Sequence, residues 1–286
     1  MNITEIKQKI ENGAFDKDFS MLYGDVNAAR ARYTAACDSF CDIFSERDNI
    51  RLFSAPGRTE VGGNHTDHQH GCVLAGGVNL DVIAVVAPNN DGKVRIKSEG
   101  YDMDTVDIRK LEKDESEHGR ASALIRGVLS RFKELGCTLS GFNAYTTSNV
   151  LKGSGLSSSA AFEVLVGNIV NGMFFEARAD EITVAKIGQY AEREYFGKPC
   201  GLLDQMASSL GGFTYADFFD PAEPITEKIN LDIHSFGYTL CVVDTGGNHA
   251  NLTQDYADIT IECKKISNAL GVDFLRDADS DRFYNS

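Results

Sequence analysis

The chain has 286 residues, with 28 Lys and Arg against 42 Asp and Glu and a formal net charge of −14. That balance argues against a nucleic-acid binder, whose affinity needs clustered positive charge to displace counterions. At 42% hydrophobic and 24% charged residues, the composition is that of a packed globular protein with one large domain or two smaller ones.

In chain order, charges every few residues in Met1 to Ser20 leave no apolar run of the kind a signal peptide needs. Helical spacing of apolar residues predicts a helix over Val26 to Phe44. Strands follow at Ile50 to Ser54, Asp81 to Ala87 and Lys93 to Lys97, then a helix at Ala121 to Leu135 and a strand at Phe142 to Thr147. Helices are expected at Ala160 to Phe175 and Ile182 to Tyr195, strands at Gly212 to Phe218 and Tyr238 to Asp244, and a last helix at Tyr256 to Leu270. Strands cluster before the first internal helices, so the expected layering is α+β rather than a regular βαβ alternation. The longest apolar run, Val82 to Pro88, is far short of the roughly 20 residues that cross a bilayer, and no membrane partner is expected. Seven scattered cysteines without a Cys-x-x-Cys pair suit reduced thiols and a cytoplasmic protein.

Three glycine-rich or charged segments interrupt these elements: Ala55 to Gly77, Ser148 to Ala161 and Phe196 to Gly212. Polar chemistry concentrated on loops of a regular scaffold is where sites form. In the second, Lys152-Gly153-Ser154-Gly155-Leu156-Ser157-Ser158-Ser159-Ala160 runs from a strand-like stretch into a helix. Glycines let the backbone approach an anion, and a helix start offers free N–H groups and a positive dipole end. A phosphate cradle and a simple serine cap stand about equal on this pattern. It is neither G-x-x-x-x-G-K-[ST] nor G-x-G-x-x-G.

In the first segment, Pro56-Gly57-Arg58 leads to Gly63-Asn64-His65-Thr66-Asp67-His68-Gln69-His70. Short donors and acceptors between glycines can ring a polyhydroxylated ligand such as a sugar. A metal site on His65, Asp67, His68 and His70 is the rival reading, ranked lower because alternating loop residues point apart. In the third, Asp204 stands among apolar neighbours after Cys200-Gly201-Leu202-Leu203. It is a candidate general base, or a helix-start Asp that complements the dipole.

Together and in this order, the segments resemble the galactokinase group of the GHMP small-molecule kinases. Pro56-Gly57-Arg58 through Asp67 is similar to the galactokinase signature, Gly155 through Ala160 to the ATP loop, and Cys200 through Gln205 to the catalytic-aspartate segment. The resemblance runs from about Val26 through the Tyr256 helix. It implies an α+β fold with an N-terminal extension over 1–24, a two-layer GHMP-kinase N-terminal domain over 25–196, and a catalytic-aspartate segment with an incomplete C-terminal domain over 197–286. It further implies an ATP-dependent kinase for the anomeric hydroxyl of galactose, using Mg²⁺. By resemblance, Asp204 is the base and Arg58 its partner at the transferred phosphoryl group. Asn64, His65, Asp67, Gly201 and Tyr256 match sugar-contact positions. Gly153, Ser154, Gly155, Leu156, Ser157, Ser158 and Ser159 match the ATP cradle, and Ser158 with Glu192 the magnesium positions.

The chain departs from the family pattern at Asn64, where a Glu is usual, at His68, where a Tyr is usual, and at Leu151, where a Pro opens the ATP loop. No third glycine-rich motif follows Tyr256, so either the chain is part of a longer protein or its site is incomplete. The alternatives are a non-catalytic sugar- and ATP-binding regulator, or a kinase for another hexose or an N-acetylhexosamine. Retention of Arg58 and Asp204 favours the enzyme.

Overall fold

The computed structural model describes residues 1–150, 153, 155–243 and 253–284, and gives the backbone alone at 234, 253–257 and 282. Its spine is β2 (Cys72–Pro88) in a seven-stranded sheet. Along one side of β2 runs β1 (Arg51–Gly62), antiparallel from the pair Arg51 and Val86 to the pair Gly62 and Leu74. The other side takes β5 (Phe142–Ser148) against Val82 to Pro88 and β6 (Phe213–Asp217) against Cys72 to Gly76. Parallel to β5 lies β3 (Lys93–Ser98), and β4 (Met103–Asp107) and β7 (Ile225–Ile229) end this path, with β1 a further edge that pairs with β2 alone.

Successive side chains of a strand point to opposite faces, and both faces of β2 are covered, which is why Val82 to Ala87 is apolar throughout. Ile83, Val85 and Ala87, with Tyr145 of β5, pack against α1 (Ile3–Glu11), α2 (Asp16–Tyr23) and α3 (Val26–Ile43). Val82, Ala84 and Val86, with Val94, Ile96, Phe142 and Ala144, pack against α4 (Ala121–Glu134), α5 (Ser158–Phe174) and α6 (Glu181–Tyr190). A π-helical turn, Ala191–Phe196, carries α6 on to Gly197. Against the N-terminal half of β2 and against β6 lies α7 (Leu203–Leu210), through Leu203, Met206, Ala207, Val73 and Ala216. Further on come α8 (Thr253–Leu270) and the short α9 (Ser280–Tyr284).

The α+β expectation holds, with three differences in detail. First, the segment Ala55 to Gly77 is mostly strand: β1 and β2 continue through it with register shifts at Pro56/Arg58 and Glu60/Gly62, leaving only residues 63–71 as loop. Bulges of this kind absorb residues unsuited to a regular ladder. Second, Tyr238 to Val243 forms no strand, and Asp244 lies outside the described residues. Tyr238, Leu240, Val242 and Val243 are exposed, so the alternating stretch has no covering layer among the described residues. Third, β6 and β7 extend the sheet beyond the expected division at 196/197. In the 1–24 extension, Ile3, Ile6 and Ile10 line one buried stripe of α1 and Asn2 with Glu5 forms a capping box.

The N-terminal helices are tied to the spine by Asp81, 3% exposed, whose carboxylate accepts hydrogen bonds from Arg32, Ser54 and the Tyr23 hydroxyl, the last at 2.6 Å. Arg32 also donates to the Asp81 carbonyl at 3.0 Å. Removing one member of a buried ion pair strands the other, so Arg32→Met is expected to cost about 3–5 kcal/mol of stability in equilibrium urea unfolding.

Candidate active site

The three segments converge at the first turn of α7. Asp67 sits in a short 3-10 turn, Thr66–Gln69, and its Oδ2 accepts the backbone N–H of Leu202 at 2.8 Å and of Leu203 at 3.1 Å. It thereby satisfies N–H groups that a helix start leaves unpaired. Burial raises the Asp67 pKa above the ordinary carboxylate value, the neighbouring charge of Asp204 adds to this, and the two N–H donors work against it. Gly201 packs directly on this carboxylate, where a Cβ would overlap Oδ2.

Asp204, one residue inside α7, does not cap its own helix. Its Oδ1 accepts Arg58 Nε and lies 2.7 Å from both Arg58 Nε and Nη2, while Oδ2 accepts the Ser157 hydroxyl. Arg58, 6% exposed, also donates through Nη1 to the Gly155 carbonyl at 2.6 Å, and its backbone N–H reaches the Leu156 carbonyl at 3.1 Å. A single guanidinium therefore joins the glycine loop to the aspartate. Burial opposes ionisation of Asp204, but Arg58, the Ser157 hydroxyl and His65 together outweigh it and hold the carboxyl below the usual range.

Ser157 stands at the N-terminus of α5 in the left-handed conformation, φ 56°, and makes no side-chain cap there. The serine-cap reading therefore fails at this position: the hydroxyl serves Asp204, and the first turn of α5 keeps the uncapped dipole end that suits an anion. Gly153 and Gly155 both have φ of 77° and supply the turns, and Leu156 is buried beside Val150 and Ala161. Ser154, Leu151 and Lys152 lie outside the described residues.

In the loop 63–71, Asn64 and His65 both take left-handed backbone, φ 50° and 52°, a conformation that Asn and His tolerate better than most residues. Asn64 is exposed. The His65 ring lies between Glu60 Oε2 at 3.3 Å and Asp204 Oδ1 at 3.9 Å. The rival metal grouping is not assembled: His68 turns Nδ1 to the His65 carbonyl at 2.7 Å, His70 stacks on Phe274, and Asp67 serves α7. Tyr256 falls within α8, but its side chain lies outside the described residues.

Glu192 is buried in the π-helical turn beside α5. The serine that reaches it is Ser159, whose hydroxyl lies 3.3 Å from Oε1, rather than the expected Ser158. Residues 159 and 163 share a face of α5 one turn apart, and Ser159 stands on the face that meets Glu192. Lys198 Nζ lies 3.1 Å from the same oxygen, and Gln205 Nε2 donates to Oε2 at 2.7 Å. Glu60, Glu163, Lys198 and Gln205 were not anticipated. A lone carboxylate in the apolar run of α5, Ala160-Ala161-Phe162-Glu163-Val164, was the available signal for one of them.

The α+β scaffold thus sets a buried Arg58, paired with the Asp204 carboxylate, beside the uncapped start of α5. The sequence pattern described as "GHMP kinases N terminal domain" matches residues 123–212, and "Galactokinase galactose-binding signature" matches residues 38–88. The fold is that of the GHMP kinases, and within that class the chain resembles the galactokinases. A galactokinase from Streptomyces coelicolor is 34% identical over 79% of this chain and 58% of its own length. A galactokinase from Lactobacillus helveticus is 33% identical over 81% of this chain and 61% of its own length, so the chain spans about three fifths of these curated relatives. The crystal structure of Lactococcus lactis galactokinase complexed with galactose superposes with a TM-score of 0.72 at 21% identity, over 89% of this chain and 66% of that one. Methanococcus jannaschii mevalonate kinase gives a TM-score of 0.56 at 16% identity, over 83% of this chain and 76% of that one.

Two outcomes follow from the geometry. Gly201→Ala is expected to push Asp67 off the first turn of α7, lowering the melting temperature and the hydrogen-exchange protection of the Leu202 and Leu203 amides. For Asp204, a depressed folded pKa means that its pairing stabilises the fold above about pH 3.9 and is lost as pH falls through the folded value. Ser157→Ala removes a donor to the ionised form, so the Asp204 carboxyl followed by carbon NMR is expected to titrate at higher pH than in the parent protein.

Proposed function

We propose that this chain carries the catalytic centre of an ATP-dependent sugar 1-kinase, with galactose as the substrate and galactose 1-phosphate as the product. The juxtaposition of Arg58, Asp204 and Ser157 at the start of α5 carries this reading. The anomeric oxygen attacks the γ-phosphorus of ATP, the bond to the β,γ-bridging oxygen breaks, ADP leaves, and the hydroxyl proton passes to Asp204. A carboxylate held this firmly ionised is a weak base towards a free hydroxyl. It takes the proton late, once bonding to phosphorus has acidified the attacking oxygen, in keeping with a loose transition state. Arg58 fixes Asp204 and offsets charge developing on the phosphoryl group. Gly153 to Ser159 cradle the phosphates on backbone N–H groups.

For the sugar, His65, Asp67, Gly201 and Tyr256 are the contact residues by likeness to the family, and Asn64 and His68 stand where it usually has Glu and Tyr. These two departures keep another hexose or an N-acetylhexosamine as the alternative acceptor. A buried carboxylate and the Ser159 hydroxyl are hard oxygen ligands suited to Mg²⁺, and Lys198, now paired with Oε1 of Glu192 and half exposed, would swing away from that oxygen when the ion binds. Bound there, the ion supplies neutralisation of the triphosphate charge. The second domain is inferred to begin after β7 rather than at 197, because the sheet continues to Ile229. Among the described residues no helix is long and apolar enough to cross a membrane, and a cytoplasmic kinase is the reading in keeping with its free thiols.

Asp204→Asn keeps the shape and most of the hydrogen bonds but cannot accept a proton. Turnover is expected to fall by roughly 10²- to 10⁴-fold with sugar and nucleotide binding retained. Steady-state kinetics with galactose, glucose and N-acetylgalactosamine, alongside calorimetric binding, tests both the role and the acceptor; near-parental turnover would remove Asp204 from the mechanism.

A further inference from the structure

Behind the Arg58–Asp204 pair lies a second buried cluster, in which Glu163 and Gln205 stand beside Glu192 with no role assigned to them so far. Gln205, 0% exposed, follows Asp204 on the first turn of α7, and the helical step sends the two side chains to different places. Asp204 meets Arg58, while Gln205 enters the core between α5 and the π-helical turn. There Nε2 donates to Glu163 Oε2 at 3.0 Å and to Glu192 Oε2 at 2.7 Å. A primary amide nitrogen has two hydrogens, and both are committed to carboxyl oxygens.

Several features mark this bridge as built rather than incidental. Glu163 Oε1 and Gln205 Oε1 are buried without a hydrogen-bond partner, a cost that a core does not usually retain without another gain. Gly188 of α6 makes room: a Cβ there would crowd Gln205 Cγ at 3.2 Å and the Glu163 side chain at 3.2 Å. Burial, with the charge of Glu192 adding to it, holds the Glu163 carboxyl well above the usual carboxylate range. The two oxygens of Glu192 are divided by this arrangement. Oε2 is fastened inward by the amide, and Oε1 is left towards Ser159 and Lys198 on the side of the phosphate loop.

We propose that Gln205 is a positioning residue whose carboxamide, strung between Glu163 and Glu192, orients the Glu192 carboxylate for a divalent cation. The proposal rests on the reading of Glu192 as a metal-holding carboxylate. Partners of this kind around a metal ligand typically change metal affinity by about 10–100-fold when removed. Gln205 also stands next to Asp204 in the chain, so one helical turn carries both the proton acceptor and the brace of the metal carboxylate.

The test is Mn²⁺ binding to the ADP-loaded protein, read by electron paramagnetic resonance, with melting temperature recorded in parallel. Gln205→Leu is expected to weaken Mn²⁺ by about 10-fold or more, and to raise by a similar factor the Mg²⁺ concentration giving half-maximal turnover, with the sugar KM unchanged. Glu163→Gln keeps an acceptor for the amide and is expected to bind Mn²⁺ within about 3-fold of the parent, whereas Glu163→Leu follows Gln205→Leu. Should Gln205→Leu not fold, Gln205→Asn, one methylene too short to span both carboxyls, replaces it. Parental Mn²⁺ affinity in the Gln205 variant, together with weakened binding in Glu192→Gln, overturns the positioning role and leaves the metal reading intact. Parental affinity in both variants removes the metal reading and the proposal with it.

Discussion

The geometry of the site hangs on the first turn of α7. A helix start presents unpaired N–H groups, and here they are met by Asp67, a residue from the loop between β1 and β2. That contact fixes the loop against the helix. Asp204, displayed by the same turn, is thereby placed against Arg58 of β1 and Ser157, the residue before α5. Three segments separated widely in sequence are registered against each other by one unsatisfied set of backbone donors. Each of them brings a charged or hydroxyl group that the others lack.

Electrostatically the centre is crowded with acid. Asp67, Asp204, Glu163 and Glu192 are all drawn into it, in a chain whose net charge is already −14. The compensation is local and differs from group to group. Asp204 has a guanidinium and a hydroxyl, Asp67 has backbone donors and remains raised, Glu192 has Lys198 and an amide, and Glu163 is raised by burial. This gradation of environments moves two carboxyls in opposite directions within the same small volume, Asp204 downward and Glu163 upward. Whole-chain charge says little about a phosphate held by a few aimed dipoles.

Much of the site was legible because its chemistry is carried by short, local patterns. Taken singly, the Gly155 to Ala160 run reads equally as a cradle or a serine cap and Asp204 as a helix-start residue; it is their order after Pro56-Gly57-Arg58 that carries the resemblance, and the structure brings Arg58, Ser157 and Asp204 together. What was not legible depends on tertiary pairing. Glycine and proline in 55–77 suggest a loop, yet β2 supplies a ladder on which they sit with bulges. Which hydroxyl of Ser157, Ser158 and Ser159 faces Glu192 is set by the phase of α5, and a shift of one residue turns a side chain by about 100°. Tyr238 to Val243 alternates like a strand, but alternation needs a neighbour, and none covers it among the described residues. Gln205 was hidden beside the more conspicuous Asp204, since only the packing of α5, α6 and α7 reveals two acids at its flanks.

The loop 63–71 has a clasp far down the chain. Leu275 donates its N–H to Gln69, Arg276 donates to the His70 carbonyl at 2.7 Å and pairs with Asp217, and Phe274 stacks on His70. The partners are about 206 residues apart in sequence. During synthesis, at about 5–20 residues per second, β1 and β2 therefore emerge some ten seconds or more before Arg276 exists. The core can condense early around β2, while the loop gains its last restraints only when the later helices have been made. The restraints that residues 274–276 place on Gln69 and His70 are therefore the last to become available as the chain is made.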